Sequence, residues 1–166
     1  MLTGRLNIDN TALMKRCMDT STDKTIAMLN PTSKHFERVV ESHAGAQTNP
    51  DANPHLWPEF APVLDCLKHL VVPDQIMISW YNITLTGGIM KSHYHLHSGD
   101  KVLVYYVNCK PSHPPLELLI GNRWIKHNCE TGTWFLFSKD MHHRAGINTG
   151  SGDRVSISIN IDKPSE

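Results

Sequence analysis

Three imidazoles and one guanidinium set the chemistry this sequence can do. His93 and His95 stand two residues apart, His143 follows far downstream, and Arg154 with Ser156 comes after it. On a strand, residues i and i+2 project from one face, so His93 and His95 would offer two ring nitrogens side by side. Neutral imidazoles bind first-row divalent metals at about 2.0–2.2 Å. A third imidazole from a distant strand would complete one face of the metal's shell. Arg154 offers a bidentate clamp for a carboxylate, and the Ser156 hydroxyl donates from the same strand face. An isolated His-x-His has a plainer reading, as solvated histidines beside a turn. The downstream His143, Arg154 and Ser156 favour non-haem iron chemistry with an anionic co-substrate.

The elements that must position these residues follow from a change of period near residue 75. Before it, apolar spacing is helical: Phe36, Val39 and Val40, then Phe60, Val63, Leu64 and Leu67. Between these runs, residues 44–58 are rich in Asn, Pro, Gly and Ala, with Asn49-Pro50 and Asn53-Pro54 as turn signals. That stretch reads as an irregular loop, long enough to serve as a lid. From residue 75 the period is that of strands, with candidates at 76–85, 102–107, 116–120, 134–137 and 154–161. In the last of these, Val155, Ile157, Ile159 and Ile161 share one face, and Arg154, Ser156, Ser158 and Asn160 share the other. Such alternation usually marks an edge strand with its polar face in water. The competing reading is a polar face that lines a barrel interior holding a polar ligand. The expected architecture is mainly β, a sandwich or jelly roll with N-terminal helices packed outside one sheet. Residues 1–166 are expected to form one domain: a helical part over 1–74 and a jelly-roll core over 75–166.

Composition narrows the function classes. Sixteen Lys and Arg balance sixteen Asp and Glu, and no run concentrates either sign. Neither a nucleic-acid footprint nor a membrane-surface patch is indicated. No apolar segment approaches the ~18–20 residues that span a bilayer, and the start, Met1-Leu2-Thr3-Gly4-Arg5, lacks a signal peptide's apolar core. A soluble, cytoplasmic protein is expected. Cys17, Cys66, Cys109 and Cys129 show no C-x-x-C pairing and read as small buried apolar residues. Of eleven histidines, six fall at positions 93, 95, 97, 127, 142 and 143, within the sheet-like half. His97 is expected at a strand end, because Ser98-Gly99-Asp100 turns the chain. Tyr81, Tyr105, Trp124 and Lys91 could line a mouth, although sheet aromatics are more often buried.

At this point the pattern resembles a known family. Trp80-Tyr81-Asn82, Gly87-Gly88, His93-x-His95, Tyr105-Tyr106, Gly132…Phe137, His143 and Arg154-x-Ser156…Asn160 are similar to the 2-oxoglutarate/Fe(II)-dependent oxygenases of marine bacteria and phages. The resemblance covers roughly residues 78 to 162 and leaves the helical N-terminal part aside. It implies a double-stranded β-helix with His93 as first iron ligand and His143 as the distal one. It also implies that Arg154 binds the remote carboxylate of 2-oxoglutarate, assisted by Ser156, and that Asn82 contacts the same co-substrate. His142 is the alternative to His143, set aside because the spacing from Phe137 matches the family at 143. The broader superfamily places a carboxylate at the second ligand position. This chain has His95 there, with Asp100 as the reserve.

The same residues also resemble the cupins. Gly87, His93-x-His95 and Asp100 approximate the first cupin motif, and Gly132 to His143 and Asn148 loosely approximate the second, without its Pro-x-Gly turn. Both families share the double-stranded β-helix. A cupin has no need of the Arg154-x-Ser156 pair, which favours the oxygenase. The expectation is therefore oxidative decarboxylation of 2-oxoglutarate to succinate and CO2, coupled to hydroxylation of a small-molecule or peptide substrate. A homodimer is compatible with this. Two rivals remain: a cupin-type dioxygenase or isomerase independent of 2-oxoglutarate, and a non-catalytic jelly-roll binding module.

Overall fold

The strand over 154–161 is central, and it explains the rest of the architecture. A computed structural model describes residues 1–20, 45–47, 52–95 and 99–162. In it, β10 (Arg154–Ile161) is buried at every position and pairs on both sides, with β3 (Ile76–Thr84) and with β5 (Lys101–Asn108). The edge-strand reading of its alternation therefore fails. The polar row faces protein, not water.

Around this strand the chain forms two antiparallel sheets. The larger has the order β1-β8-β5-β10-β3-β2, where β1 is Leu2–Arg5, β2 is Gly45–Gln47 and β8 is Thr133–Ser138. The smaller has the order β4-β9-β6-β7, built from Met90–His93, His143–Ala145, Leu116–Ile120 and Arg123–His127. Period-2 alternation sorts side chains into two cores. Leu103, Tyr105 and Val107 of β5, and Val155, Ile157 and Ile159 of β10, pack against the N-terminal helical layer. Val102, Val104 and Tyr106 pack between the sheets with Leu116, Leu118, Phe135 and Phe137. The result is a double-stranded β-helix, mainly β, with helices covering one sheet.

That helical layer is α1 (Thr11–Thr20), 3-10 turns at Pro54–Leu56 and Pro58–Phe60, and α2 (Ala61–Leu67). Leu13 and Cys17 of α1 join Phe60, Val63 and Leu67 in the outer core. Its apolar positions recur at i, i+3, i+4, as an amphipathic face requires.

The structure departs from expectation at both ends of the N-terminal part. Leu2–Arg5 is a strand rather than part of a helical region. It is short and largely exposed, so it carries no alternation to read. Pairing holds it: Gly4 lies opposite Trp134, and the Thr3 hydroxyl donates to the Trp134 carbonyl at 2.7 Å. Gly4 leaves room for the indole, since a Cβ there would come within 2.8 Å of Trp134. The expected irregular loop over 44–58 contains β2, which pairs with Asn82–Thr84, and a 3-10 turn opened by Pro54. Positions 44 and 48–51, the expected helix through Phe36, Val39 and Val40, and His97 lie outside the described residues. Three short strands, β4, β7 and β9, also escape the sequence pattern. They are three to five residues long, too short for an alternation to show.

Candidate metal centre and anion site

Strand pairing brings His93 and His143 together. They are directly opposite each other on β4 and β9, and their ring centroids lie 4.1 Å apart. His95 arrives differently from the simple i, i+2 expectation, because β4 stops at His93. The backbone N–H of His95 donates to Lys139 O at 2.8 Å, which fixes the chain beyond the strand end. Its ring stacks between Trp80, with centroids 5.4 Å apart and planes at 23°, and His143, at 5.1 Å and 19°.

The protonation of each ring is dictated by its second nitrogen. His93 Nδ1 donates to Lys91 O and His143 Nδ1 to Met141 O, each at 2.9 Å; His95 Nδ1 donates to Asn160 Oδ1 at 3.0 Å. A carbonyl oxygen only accepts, so each Nδ1 carries the proton and each Nε2 presents a lone pair. His95 Nε2 and His143 Nε2 face each other at 3.4 Å. Two lone pairs at that distance repel unless a cation lies between them. Cis ligands at about 2.1 Å from one metal would be about 3 Å apart, close to what is seen. The ligand atoms of His93, His95 and His143 all fall within 4.8 Å of one another, a set able to hold a metal ion.

Electrostatics keeps the rings in the ligand form. Burial, with the neighbouring His93, brings His95 down to about 4. Burial and the His93 and His95 rings hold His143 well below the usual imidazole range, and burial lowers His93. Neutral imidazole is the metal-binding state.

Beside the cluster, β10 and β3 wall a cavity lined by Trp80, Asn82, His93, His143, Arg154 and Ser156. Register places Ser156 opposite Asn82 on one side and Tyr106 on the other. Asn82 Nδ2 donates to Ser158 Oγ at 3.3 Å. Arg154 is 1 % exposed, donates to the Tyr106 hydroxyl at 2.8 Å, and leaves its buried Nε without a partner. Among the described residues it makes no ion pair with a carboxylate. A buried guanidinium in that condition is expensive to maintain, and an anionic ligand would complete it.

The sequence-designated residues therefore divide. His93, His143, Arg154, Ser156 and Asn82 line one cavity, and His95 joins His93 and His143 in the metal-competent set. Asp100 and His142 lie outside the metal-competent set. The Asp100 backbone is used in hydrogen bonds to Ile161 and Lys139, and the His142 ring packs on Tyr94 with centroids 4.4 Å apart. Tyr81 and Tyr105 are fully buried in the outer core, and Trp124 lies beneath Arg144, 4.0 Å from its guanidinium carbon. Sequence reasoning gave no role to Asn160, Ser158 or Tyr106 as supports. Asn160 and Ser158 share the parity of Arg154 on β10, which was the available signal.

A double-stranded β-helix with a three-histidine cluster and a buried cation beside it is the class that fold and site define. Solved structures of similar fold include a prolyl-4-hydroxylase from Pseudomonas putida, with TM-score 0.60 at 14% identity over 98% of this chain and 92% of that one. HygX from Streptomyces hygroscopicus, solved with nickel and 2-oxoglutarate bound, gives 0.55 at 10% identity over 80% and 76% of the two chains. Oxalate decarboxylase OxdC from Bacillus subtilis gives 0.50 at 15% identity over 75% of this chain and 28% of that one. At these identities the likeness is one of fold. No protein-family model and no curated protein sequence matches the chain. No helix among the described residues is long and apolar enough to cross a membrane.

Proposed function

We propose that this protein is a non-haem Fe(II)- and 2-oxoglutarate-dependent oxygenase that hydroxylates a small-molecule or peptide substrate. The observation that supports it most is the conjunction of inward-facing Nε2 lone pairs with a buried, anion-deficient Arg154 in one cavity. His93, His95 and His143 hold the metal, and Lys91 O, Asn160 and Met141 O orient their rings. When bound, Fe(II) supplies oxygen activation driven by decarboxylation of the 2-oxo acid. Arg154 clamps the far carboxylate of 2-oxoglutarate, while Ser156 and Asn82 offer hydrogen bonds along its length. The neutral triad leaves the metal's charge uncompensated, which favours a dianionic co-substrate there. Trp80 and Tyr106 exclude water from the walls.

The set of three imidazoles without a carboxylate favours one second reading, a cupin-type metal enzyme that needs no 2-oxoglutarate. The buried Arg154 weighs against it. Anaerobic titration with Fe(II) and then 2-oxoglutarate separates the two. The proposal expects a weak visible charge-transfer band that requires both, and its loss in Arg154→Met. Iron binding with no response to 2-oxoglutarate would favour the cupin reading, and no iron binding would end both.

A further inference from the structure

In the polar row of β10, Ser158 is the member that neither the anion clamp nor the metal ligands use. Arg154 meets the Tyr106 hydroxyl, and Asn160 holds the His95 ring. Ser158 lies between them, 6 % exposed, on the wall of the same cavity as His93 and His143. At about 3.3 Å per strand residue, its Cα is about 13 Å from that of Arg154 and about 7 Å from that of Asn160. Register agrees with a place near the metal end: Ser158 stands opposite Trp80, whose ring stacks on His95 with centroids 5.4 Å apart.

A serine hydroxyl has one proton to donate and two lone pairs to accept with. Asn82 Nδ2 donates to Ser158 Oγ at 3.3 Å and occupies one lone pair. Among the described residues that is the one hydrogen bond the Ser158 side chain makes, so its proton has no acceptor in the protein. Its neighbours across the strands offer none, since the Trp80 indole N–H only donates and Val104 is apolar. A small residue filling the space between Trp80 and Val104 would account for alanine at this position. It would not account for a buried hydroxyl that accepts from Asn82 and keeps an unused proton, because a buried donor without an acceptor costs free energy. Donation from Asn82 also polarises the O–H bond and makes it a stronger donor.

We propose that Ser158 holds the metal-bound end of a 2-oxo acid, donating its proton to the carboxylate oxygen that the metal leaves free; this rests on the 2-oxoglutarate reading of the site. A 2-oxo acid chelates through its keto oxygen and one carboxylate oxygen. The other carboxylate oxygen keeps its lone pairs and needs a donor. The imidazoles supply none, because each Nδ1 proton is committed to Lys91 O, Asn160 or Met141 O. Arg154 and Ser156 take the far carboxylate, and Ser158, backed by Asn82, takes the near one. One strand then grips the co-substrate at both ends.

The test compares the full chain as wild type, Ser158→Ala and Ser158→Thr, each loaded anaerobically with Fe(II) and titrated with 2-oxoglutarate. Fe(II) affinity should be the same in all three, because no ligand or ring support is altered. In Ser158→Ala the Kd for 2-oxoglutarate should rise about 10- to 100-fold, the worth of one hydrogen bond to a charged acceptor. The visible charge-transfer band should also move to shorter wavelength, since the lost hydrogen bond no longer lowers the acceptor orbital of the bound oxo acid. Ser158→Thr, which returns the hydroxyl, should restore both. An affinity loss with the band unmoved places Ser158 at the far carboxylate and overturns the proposal. Unchanged affinity and band leave only a packing role and overturn it too, as does a fall in Fe(II) affinity. If wild type shows no band, the 2-oxoglutarate reading fails, and calorimetry of the Zn(II)-loaded protein with oxalate decides the assignment. Weaker oxalate binding in Ser158→Ala then upholds the hydroxyl as a partner of a metal-bound carboxylate, and equal binding ends it.

Discussion

Lowering the pH of the metal-free protein should destabilise it through the histidine cluster by a calculable amount. His95 sits at about 4 in the folded chain against an ordinary 6.5. Below 6.5 the unfolded chain takes up a proton at this position while the folded chain does not until about 4. Stability is therefore complete above 6.5 and lost progressively as the pH falls toward the folded value. Between about pH 7.5 and about pH 5 the loss from His95 alone is about 2 kcal/mol. His93 and His143 are shifted in the same direction and add to it. Carboxylates elsewhere also begin to titrate, so the informative quantity is a difference between two proteins. Urea unfolding of chelator-treated wild type and His95→Gln at the two pH values isolates it. The variant should lose about 2 kcal/mol less than wild type over that interval. A saturating divalent metal, at about 100 times its Kd, should add about 2.7 kcal/mol to wild type at neutral pH. Equal pH losses in wild type and variant would show that burial and the neighbouring rings do not hold His95 neutral, and the metal-site argument would lose its electrostatic support.

Other outcomes follow from the same geometry. Arg154→Met should weaken 2-oxoglutarate binding about 10- to 100-fold by calorimetry, the worth of a charge-assisted clamp, while leaving the melting temperature unchanged or higher. Asn160→Leu removes the acceptor for His95 Nδ1; metal affinity should drop about 10- to 100-fold with the fold retained by circular dichroism. Gly132→Ala places a Cβ 2.1 Å from Leu6 O at a φ of +87°, and should cost about 1–3 kcal/mol in thermal or urea unfolding.

The sheet was legible wherever burial alternates strictly. Leu116–Ile120 and Arg154–Ile161 match expectation at both ends, because each inward position is either apolar or part of a polar row with an apolar reverse. Legibility failed where position, not pattern, decides. Leu2–Arg5 is a strand because Trp134 and its neighbours are there to pair with it, a partner far away in sequence. β4 and β9 are three or four residues long, and the histidines that pair across them, His93 and His143, belong to the metal cluster. Within the site, residue types marked out the histidines and Arg154, but nothing in the spacing revealed that His95 depends on Lys139, Trp80 and Asn160 for its placement. The cysteines follow the expected burial at Cys17, Cys109 and Cys129 and depart from it at Cys66, which is exposed.

Arg154, Ser156, Ser158 and Asn160 all stand on the one strand of the large sheet whose two flanking partners are its longest neighbours. Amides along such a segment exchange with solvent deuterium only when the whole molecule opens, whereas edges and connecting loops exchange through local fraying. Change of specificity by evolution or engineering should accordingly fall on the rim of the cavity, where sequence can drift without reaching the strand at its centre.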